Sequence, residues 1–399
     1  MVLTAKQEIG LKIALDRYKS GERYTTIAGY AGTGKSTLVK FIINALLNMD
    51  ITEDDVIYAT YTGKAAEVLR KKGNTNAFTL HKILYKNVPQ KNGTWLRVPN
   101  PDIPGRVIVV DEVSMVPKKM IDLLLRHQVY IIFLGDPFQL PQIEKGEENG
   151  ILEQPHIFLD EIMRQAAESE IIRFTLGIRE GRDLPHNFKG KEVQIFPTGT
   201  LNTGMCNWAD QILCATNKTR TGINQQMRKL KGFDGLVAEG EKVIIKENYW
   251  GIFNSHEDPI VNGSIGTFHN GTESFKMLPS NCKYYSRNKT IPVIVGTFRP
   301  EGIENGDYNS VEFDKHFITT EESCLPWELE WKVRKANPDF MPVKMTYGYA
   351  ITVHCAQGSE WNNVLVVEER FPFEKGEHAR WLYTAATRAS QRLLLVRGQ

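Results

Sequence analysis

The stretch YTTIAGYAGTGKSTLVKFIINALL, residues 24–47, decides the fold of this chain. Its β-branched start, residues 24–28, predicts a strand, and residues 35–47 have the apolar spacing of a helix. Between them, residues 29–36 match the pattern G-x-x-x-x-G-K-[ST]. Glycines in such a loop let backbone N–H groups and the helix N-terminus surround phosphate oxygens. The stretch therefore predicts a nucleotide-binding α/β domain.

The polar positions of this loop have predicted roles. Lys35 is expected to reach the β and γ phosphates, and Ser36 is expected to bind Mg²⁺ through its hydroxyl. The residues expected to contact the nucleotide from the loop are Gly32, Thr33, Gly34, Lys35, Ser36 and Thr37.

The second half of the predicted nucleotide site is VIVVDE, residues 107–112, an apolar strand that ends in two carboxylates. A carboxylate at the end of a buried strand can hold magnesium, and its neighbour can polarise the attacking water. We therefore expect Asp111 to bind the metal and Glu112 to act as the base. The alternative is an acidic turn on the surface.

A guanine-specific site is not expected. The string Asn217-Lys218-Thr219-Arg220 is superficially similar to the guanine-binding NKxD pattern, but its fourth position is arginine. The carboxylate that would bind guanine is missing, so the sequence favours ATP over GTP.

Strand and helix patterns alternate along two parts of the chain, which is typical of parallel sheets covered by helices. In the first part, the predicted strands are 24–28, 56–60, 107–110, 130–134 and 157–159, and the predicted helices include 35–47 and 63–71. In the second part, a helix near 169–181 and a strand at 211–215 are followed, after an interruption, by 343–352, 364–367 and 392–396.

Two insertions interrupt the α/β pattern. Residues 87–104 carry the turn pair Asn92-Gly93 and a Pro-rich exit, which predict a small hairpin. Residues 239–342 contain short strands separated by Gly, Asn and Pro, which predict a small barrel with strands near 242–245, 264–268, 292–298 and 310–313. The expected domains are a first α/β domain at 1–86 and 105–160, the hairpin at 87–104, a second α/β domain at 161–238 and 343–399, and the barrel at 239–342.

Composition places the chain among ordinary globular proteins. Its 399 residues are 41% hydrophobic and 24% charged, which excludes collagen, coiled coil and wholesale disorder. Lys plus Arg number 49 against 47 for Asp plus Glu, a balance that neither supports nor excludes a polyanionic partner. The five cysteines form no CxxC pair, and apolar runs fall far short of the ~18 residues of a membrane helix. A reducing cytoplasm, without a membrane partner, is the expected location.

Seven short motifs occur in an order that resembles the superfamily-one helicases. They are LTAKQ at 3–7, the phosphate loop at 29–36, DEVSM at 111–115, GDPFQLP at 135–141, MRQ at 163–165, TVHCAQGS at 352–359 and YTAATRA at 383–389. The DEVSM and GDPFQLP forms resemble the RecD-like and Dda-like branch rather than the UvrD-like branch. The resemblance implies two RecA-like domains with ATP between them, and 5′ to 3′ movement on DNA.

The resemblance also assigns roles to single residues. Gln7 matches the glutamine that contacts adenine, and Gln139 matches the γ-phosphate sensor. Arg164 and Arg388 match arginine fingers from the second α/β domain. Gln357, Gly358 and Glu360 match the motif that links the ATP cleft to DNA. The resulting catalytic set is Lys35, Glu112, Gln139, Arg164 and Arg388. Many relatives have lysine where Cys355 stands, and we expect a buried structural thiol there.

The nucleic-acid contacts are implied by two further strings, TYTGKAA at 60–66 and TLH at 79–81. Hydroxyls, helix-start N–H groups and a lysine suit phosphate oxygens and ignore base sequence. The implied contacts are Thr60, Thr62, Lys64, His81, Thr352 and His354, with Trp95 on the hairpin. The hairpin resembles a strand-separation pin, and a surface turn with a packed Trp95 is the alternative.

The insertion at 239–342 begins like the SH3-like barrel of this branch. Within it, Trp327, Trp331 and Lys332 have partly helical spacing, for which we expect a packed core stripe.

The implied function is an ATP- and Mg²⁺-dependent DNA helicase of the bacterial or phage-infected cytoplasm, acting in replication, recombination or repair. Its expected partners are single-stranded and fork DNA, with single-strand-binding or replication proteins as further candidates, and a monomer is expected. Three alternatives stay open. They are an RNA-directed helicase of the same superfamily, an ATPase that remodels protein–DNA complexes, and a nucleotide-dependent binding switch, although paired arginine fingers argue against the switch.

Overall fold

The structure, a computed structural model, describes residues 2–71, 73–89, 95–141, 149–255, 259–278, 290–337, 340–370 and 375–398. The chain forms two compact units. The first unit comprises Met1–Lys86, Pro99–Ala215 and Thr352–Gln399, and the second comprises Asn87–Val98 and Thr216–Ile351.

The helices of the described residues are numbered along the chain. They are α1 Ala5–Lys19, α2 Lys35–Leu47, α3 Gly63–Lys71, α4 Leu80–Leu84, α5 Lys118–Leu124, α6 Arg164–Ala167, α7 Glu170–Arg179, α8 Thr203–Trp208, α9 Asn217–Leu230, α10 Phe317–Thr320, α11 Trp327–Ala336, α12 Val353–Ala356 and α13 Lys375–Ala386. None of these described helices is long and apolar enough to span a bilayer.

The strands are numbered in the same way. They are β1 Tyr24–Gly29, β2 Val56–Thr60, β3 Ala77–Thr79, β4 Tyr85–Pro89, β5 Trp95–Pro99, β6 Val107–Val110, β7 Tyr130–Gly135, β8 Ile157–Leu159, β9 Phe188–Lys189, β10 Val193–Phe196, β11 Gln211–Cys214, β12 Glu241–Ile245, β13 Tyr249–Phe253, β14 Pro259–Ile260, β15 Ile265–Met277, β16 Thr290–Pro300, β17 Tyr308–Asp314, β18 Met345–Tyr347, β19 Ala350–Thr352, β20 Trp361–Val367 and β21 Ala389–Val396.

The first sheet of the first unit has the strand order β3-β2-β6-β7-β1-β8, and every neighbouring pair is parallel. Its central strands β6 and β7 are buried along their whole length, because helices cover both faces. α2 packs on the sheet through Leu38, Ile42 and Leu46, which recur at helical spacing. The predicted parallel sheet is confirmed, and β2, β6 and β8 have the predicted bounds.

The second sheet of the first unit is also mainly parallel. β20 pairs in parallel with β11 and with β21, β21 pairs in parallel with β10, and β9 is antiparallel to β10. α13 buries Trp381 and Tyr383, both 1% exposed, and packs against α7. The first unit therefore contains two α/β sheets, as the alternating pattern predicted.

The second unit is built around an antiparallel sheet of order β17-β16-β15-β12-β18. β15 and β16 are longer than the predicted strands near 264–268 and 292–298, and β15 is longer because mainly exposed residues continue it beyond the apolar core. The α/β pattern was expected to resume at residue 343, but β18 pairs antiparallel with β12. The hairpin strands β4 and β5 form a two-stranded sheet. The predicted turn at Asn92-Gly93 lies outside the described residues.

The predicted core stripe on α11 is wrong. Trp327 is 76% exposed and Trp331 is 57% exposed, whereas Leu329 and Val333 are buried in a core cluster with residues of β16. Positions 329 and 333 fall on the opposite side of a helix from 327 and 331, so only one pair can face the sheet. The smaller apolar pair occupies the core.

Candidate nucleotide and nucleic-acid site

The loop between β1 and α2 has the backbone that phosphate binding needs. Gly34 has φ 80° and precedes α2, and a Cβ there would lie 2.4 Å from Gln7 Nε2, so only glycine fits. Lys35 Nζ donates to the carbonyls of Gly29 at 2.7 Å and Tyr30 at 3.0 Å. Ser36 is exposed and Thr37 half-buried in the first turn of α2. The lysine and the hydroxyls therefore lie at a helix N-terminus, where anions are favoured.

Gln7 ties α1 to this loop. It is 1% exposed and completes a capping box with Thr4, whose backbone N–H donates to Gln7 Oε1 at 3.1 Å. Its Nε2 donates to the Gly34 carbonyl at 3.3 Å. Gln7 is therefore placed beside the loop, while its contact with adenine stays a prediction.

Asp111 and Glu112 follow the end of β6, as predicted. Asp111 Oδ1 accepts a hydrogen bond from the Glu112 N–H at 2.9 Å. Glu112 has φ 51° and ψ 45°, a left-handed conformation that costs a non-glycine residue about 1–3 kcal/mol. Such strain is concentrated at functional sites.

Three predicted residues converge from the two sheets. In the amide orientation that gives both of its atoms a partner, Gln139 Nε2 donates to Glu112 Oε2 at 3.2 Å and its oxygen accepts from Arg388 Nη2 at 3.3 Å. Arg388 Nη2 also lies 4.0 Å from Glu112 Oε1. Gln139 and Arg388 are both buried. A carboxylate, an amide and a guanidinium thus form one polar cluster, which we call the Glu112 cluster.

Arg388 is oriented by backbone carbonyls. Its Nε donates to the Thr384 carbonyl at 3.1 Å, and its Nη1 donates to the Ser359 carbonyl at 3.3 Å. These carbonyls belong to the last turn of α13 and to the turn before β20, so elements of the second sheet fix the direction of the guanidinium.

Arg164 begins α6, and its side chain lies outside the described residues. The preceding residue, Met163, donates its N–H to the Gly32 carbonyl at 3.0 Å. The segment that carries Arg164 is therefore attached to the phosphate loop.

Thr384 and Gln357 hold the loop after β7. Sequence reasoning missed Thr384, and it assigned Gln357 only to the motif that links the ATP cleft to DNA. The Leu140 N–H donates to Thr384 Oγ1 at 2.9 Å, and Gln357 Nε2 donates to the Leu140 carbonyl at 2.7 Å. Both lie inside motifs noted from the sequence, but a motif does not show which of its polar side chains point inward. Leu140, the residue after Gln139, is thereby bonded to one residue of α13 and to the residue that follows α12.

Two family models match the chain. Residues 5–192 match a model described as an AAA domain, and residues 347–396 match a UvrD-like helicase C-terminal domain. The ATP-dependent DNA helicase dda of Enterobacteria phage T4 is 28% identical over 294 residues, covering 67% of this chain and 66% of that protein. The ATP-dependent RecD2 DNA helicase of Deinococcus radiodurans is 26% identical over 398 residues, covering 94% of this chain and 47% of that protein.

The predicted resemblance to the superfamily-one helicases of the RecD-like and Dda-like branch is confirmed by these relatives. The chain spans less than two thirds of the length of either relative.

Solved helicase structures share the fold of this chain. Pif1 helicase from Candida albicans is 19% identical with a TM-score of 0.50, covering 99% of this chain and 95% of that one. Bacteroides Pif1 bound to ssDNA is 17% identical with a TM-score of 0.51, covering 99% and 92%. At this identity the likeness concerns the α/β architecture alone.

The predicted nucleic-acid contacts differ in their exposure. Thr60 is buried and its hydroxyl donates to the Thr62 carbonyl at 2.9 Å. Thr62 Oγ1 accepts the Ala65 N–H at 3.2 Å, at the start of α3. His81 is half-buried between the rings of Tyr61 and Tyr85, with centroids 5.6 and 6.2 Å away. The side chains of Lys64 and Trp95 lie outside the described residues.

The remaining predicted residues lie around α12. Thr352 is buried at the helix N-cap, and His354 is half-buried, where burial lowers its pKa. Gly358 has φ 75°, and a Cβ there would lie 3.1 Å from Thr62 Oγ1, so the two motifs approach closely. Glu360 is exposed. Cys355, expected to be buried, is half-buried, because α12 has a single turn and only part of it faces the sheet.

A cavity of about 440 Å³ adjoins the Glu112 cluster. Its polar lining includes Ser114, Asp136, Gln139, Asn149, Glu153 and Arg380. The cluster therefore has space for a polar group on the Gln139 side.

Proposed function

We propose that this chain is an ATP-dependent DNA helicase that moves 5′ to 3′ on single-stranded DNA and unwinds duplex. The observation that carries the proposal is the Glu112 cluster, in which a carboxylate and an amide from the first sheet meet an arginine from the second. Hydrolysis at such a cluster depends on how the two sheets approach, so chemistry can be coupled to motion. The helicase names of the relatives support the same function.

ATP and Mg²⁺ are the proposed cofactors. Lys35 and the loop N–H groups would bind the phosphates, and Gln7 would contact adenine. Ser36 and Asp111 offer a hydroxyl and a carboxylate, hard oxygen ligands of the kind that Mg²⁺ combines with substrate phosphates. The bound ion would neutralise charge on the transferred phosphoryl group.

In the proposed reaction, Glu112 accepts a proton from the attacking water. Gln139, bonded to both Glu112 and Arg388, would sense the γ phosphate. Arg388 and Arg164 would stabilise the charge that develops on the phosphoryl group, an effect of roughly 10³ to 10⁵ in rate for arginine fingers. The contacts of Gln357 and Thr384 with Leu140 would transmit the state of this cluster to the second sheet.

The DNA track is proposed to run past the motifs at Thr60, Thr62, Lys64, His81, Thr352 and His354. The close approach of Gly358 to Thr62 supports a shared surface for the two sets. Gly358 and Glu360 would link that surface to the nucleotide.

We also propose the domain division predicted from the sequence. Residues 1–86 with 105–160 and residues 161–238 with 343–399 would form the two RecA-like domains, except that β18 pairs with β12 of the insertion. Residues 87–104 would be the separation pin, carrying Trp95, and 239–342 would be an SH3-like barrel. The paired β4 and β5 and the antiparallel sheet of β12 and β15–β18 support the two insertions.

The deciding experiment compares ATP-dependent unwinding of three duplexes, with only a 5′ single-stranded DNA tail, only a 3′ tail, or an RNA loading strand. We expect unwinding from the 5′ DNA tail. Unwinding only from the 3′ tail would contradict the polarity, and preference for the RNA strand would favour an RNA-directed helicase. DNA-stimulated hydrolysis without unwinding would favour a remodelling ATPase.

A further inference from the structure

Tyr383 connects three parts of the nucleotide site through one hydroxyl. The side chain projects from α13 and is 1% exposed. Its hydroxyl donates to Asp136 Oδ2 at 2.6 Å and accepts the backbone N–H of Ala31 at 2.8 Å. Ala31 belongs to the phosphate loop, and Asp136 follows β7. One oxygen atom therefore bonds two loops of the first sheet to a helix of the second.

Both oxygens of the buried Asp136 carboxylate accept hydrogen bonds in this arrangement. It is 1% exposed, and its second oxygen accepts the Phe138 N–H at 2.9 Å. The Phe138 ring packs edge-on against the Tyr383 ring, with centroids 5.1 Å apart and an angle of 82°. Burial raises the pKa of Asp136, while the Lys35 charge and the Tyr383 hydrogen bond lower it. The contact of 2.6 Å has the length of a charge-assisted O–H···O⁻ bond.

Two of these segments lead to residues of the Glu112 cluster. The loop that contains Asp136 continues to Gln139, and α13 leads within a few residues to Arg388. A displacement of Tyr383 relative to Asp136 would move Arg388 relative to Gln139. Such displacements are costly, because misplacement by about 1 Å can reduce an enzymatic rate by about 10²-fold.

We propose that the Tyr383 hydroxyl is a positioning group for ATP hydrolysis. It fixes the position of α13 and Arg388 relative to the phosphate loop and the Asp136 loop. This inference rests on the proposed function. Tyr383 acts through Asp136 and Arg388 and touches no reacting atom.

The test is Tyr383→Phe, which keeps the buried ring and removes the hydroxyl. We expect kcat for DNA-stimulated ATP hydrolysis to fall at least about tenfold, with KM for ATP changed by less than about threefold. The control is Tyr130→Phe. Tyr130 is also buried in the first unit, but its hydroxyl donates to the Ala14 carbonyl at 2.9 Å and contacts Thr25.

Two further readouts separate positioning from general stability. Because Tyr383→Phe removes a bond that lowers the Asp136 pKa, the acid limb of the kcat–pH profile should move to higher pH, and Tyr130→Phe should not move it. Asp136→Asn should also lower kcat, and the double variant should lose little more than the worse single variant, since both changes break one interaction.

Three outcomes would overturn the inference. The first is a Tyr383→Phe protein with wild-type kcat and pH profile. The second is a loss of activity matched by the same fall in Tm and activity in Tyr130→Phe. The third is a wild-type chain that hydrolyses no ATP with DNA. That result would contradict the proposed function itself, whereas the first two outcomes would contradict only the role of Tyr383.

Discussion

Lys35 lies against two loop carbonyls, and its ammonium is the charge that the proposed mechanism brings to the phosphates. We expect Lys35→Ala to reduce ATP hydrolysis to background, because no other side chain of the loop carries positive charge. The measurement is steady-state ATPase activity with single-stranded DNA. The matched control is Lys40→Ala, an exposed lysine on the same helix, which should hydrolyse ATP normally. Equal activity in the two variants would contradict the role of Lys35.

Arg388 makes its contacts with Glu112 and Gln139 from the second sheet. We expect Arg388→Ala to bind ATP nearly as well as the wild type and to lose about 10³-fold or more in turnover. Equilibrium binding of a fluorescent ATP analogue and single-turnover hydrolysis measure the two effects separately. Arg392→Ala, which removes an exposed arginine from β21, is the control. Weakened binding with normal turnover would assign Arg388 to nucleotide affinity instead.

At the residue scale, the sequence predicted which residue types form the site better than it predicted their conformations and contacts. The pair Asp111-Glu112 was predicted from its position after an apolar strand, and the structure places it there. The left-handed backbone of Glu112 was not predicted, because a glutamate carries no signal for that conformation. Tyr383 was missed for a related reason. Its partner Ala31 lies 352 residues away along the chain, and no local pattern connects them.

At the element scale, substitutions on the two faces of α11 test which face packs against the core. We expect Leu329→Ala to destabilise the protein by about 2–5 kcal/mol, since it leaves a cavity beside β16. Trp331→Ala should change stability by no more than about 0.5 kcal/mol, as expected for an exposed position. Urea unfolding measures both. A larger effect for the tryptophan would contradict the exposed placement of that face.

An ion-pair network on α11 predicts a pH dependence. Glu330 Oε1 lies 2.8 Å from Lys344 Nζ and 2.7 Å from an Arg334 nitrogen. Burial alone would raise the Glu330 pKa, but hydrogen bonds from Lys344, Ser323 and Arg334 lower it to about 2. A carboxylate with a lowered pKa stabilises the fold above its unfolded pKa, and this stabilisation is lost as pH falls through the folded value.

We therefore expect Glu330→Gln to destabilise the protein by about 1–3 kcal/mol at pH 7. The difference from wild type should shrink as the pH falls from about 4.5 towards about 2. Denaturant unfolding across this range measures it. Glu328→Gln, an exposed change on the same helix, should show no such dependence.

The strands of the first sheet were predicted well because they are continuously buried, and a β-branched apolar run between turn residues has few other structures available. The tryptophan positions of α11 were predicted wrongly. Their size suggested burial, but periodicity defines two opposite faces and does not say which one meets the sheet. β15 was predicted too short because its exposed half, HNGTES, contains mostly polar and glycine residues.

At the scale of the whole molecule, strand separation and hydrolysis should be separable if the hairpin is a pin. We expect Trp95→Ala to retain DNA-stimulated ATPase activity and to lose most fork unwinding. Stacking of a base on an aromatic side chain contributes about 1–3 kcal/mol, comparable with about 1.4 kcal/mol for one DNA step. Trp327→Ala, an exposed tryptophan elsewhere, is the control for surface changes. Normal unwinding by Trp95→Ala would favour the surface turn with a packed tryptophan.

The motif order predicted the family and the two α/β sheets, since seven strings at defined intervals constrain the whole chain. The contacts between them could not be predicted. Whether Gln357 bonds to the Leu140 carbonyl or to another group depends on packing between segments 217 residues apart.

The second sheet is interrupted in sequence by most of the second unit. β11 pairs with β20 through Gln211 and Val364, and the chain between them includes residues 216–351. Bringing two strands together across such a long unfolded loop is entropically unfavourable and slow. If the inserted segment folds first, its ends are already restrained and the search is shortened. We therefore expect the antiparallel sheet to acquire protection from hydrogen exchange before β11 and β20 do during refolding. On the ribosome, the late-translated strands β20 and β21 would then complete a sheet whose strands β10 and β11 were synthesised much earlier.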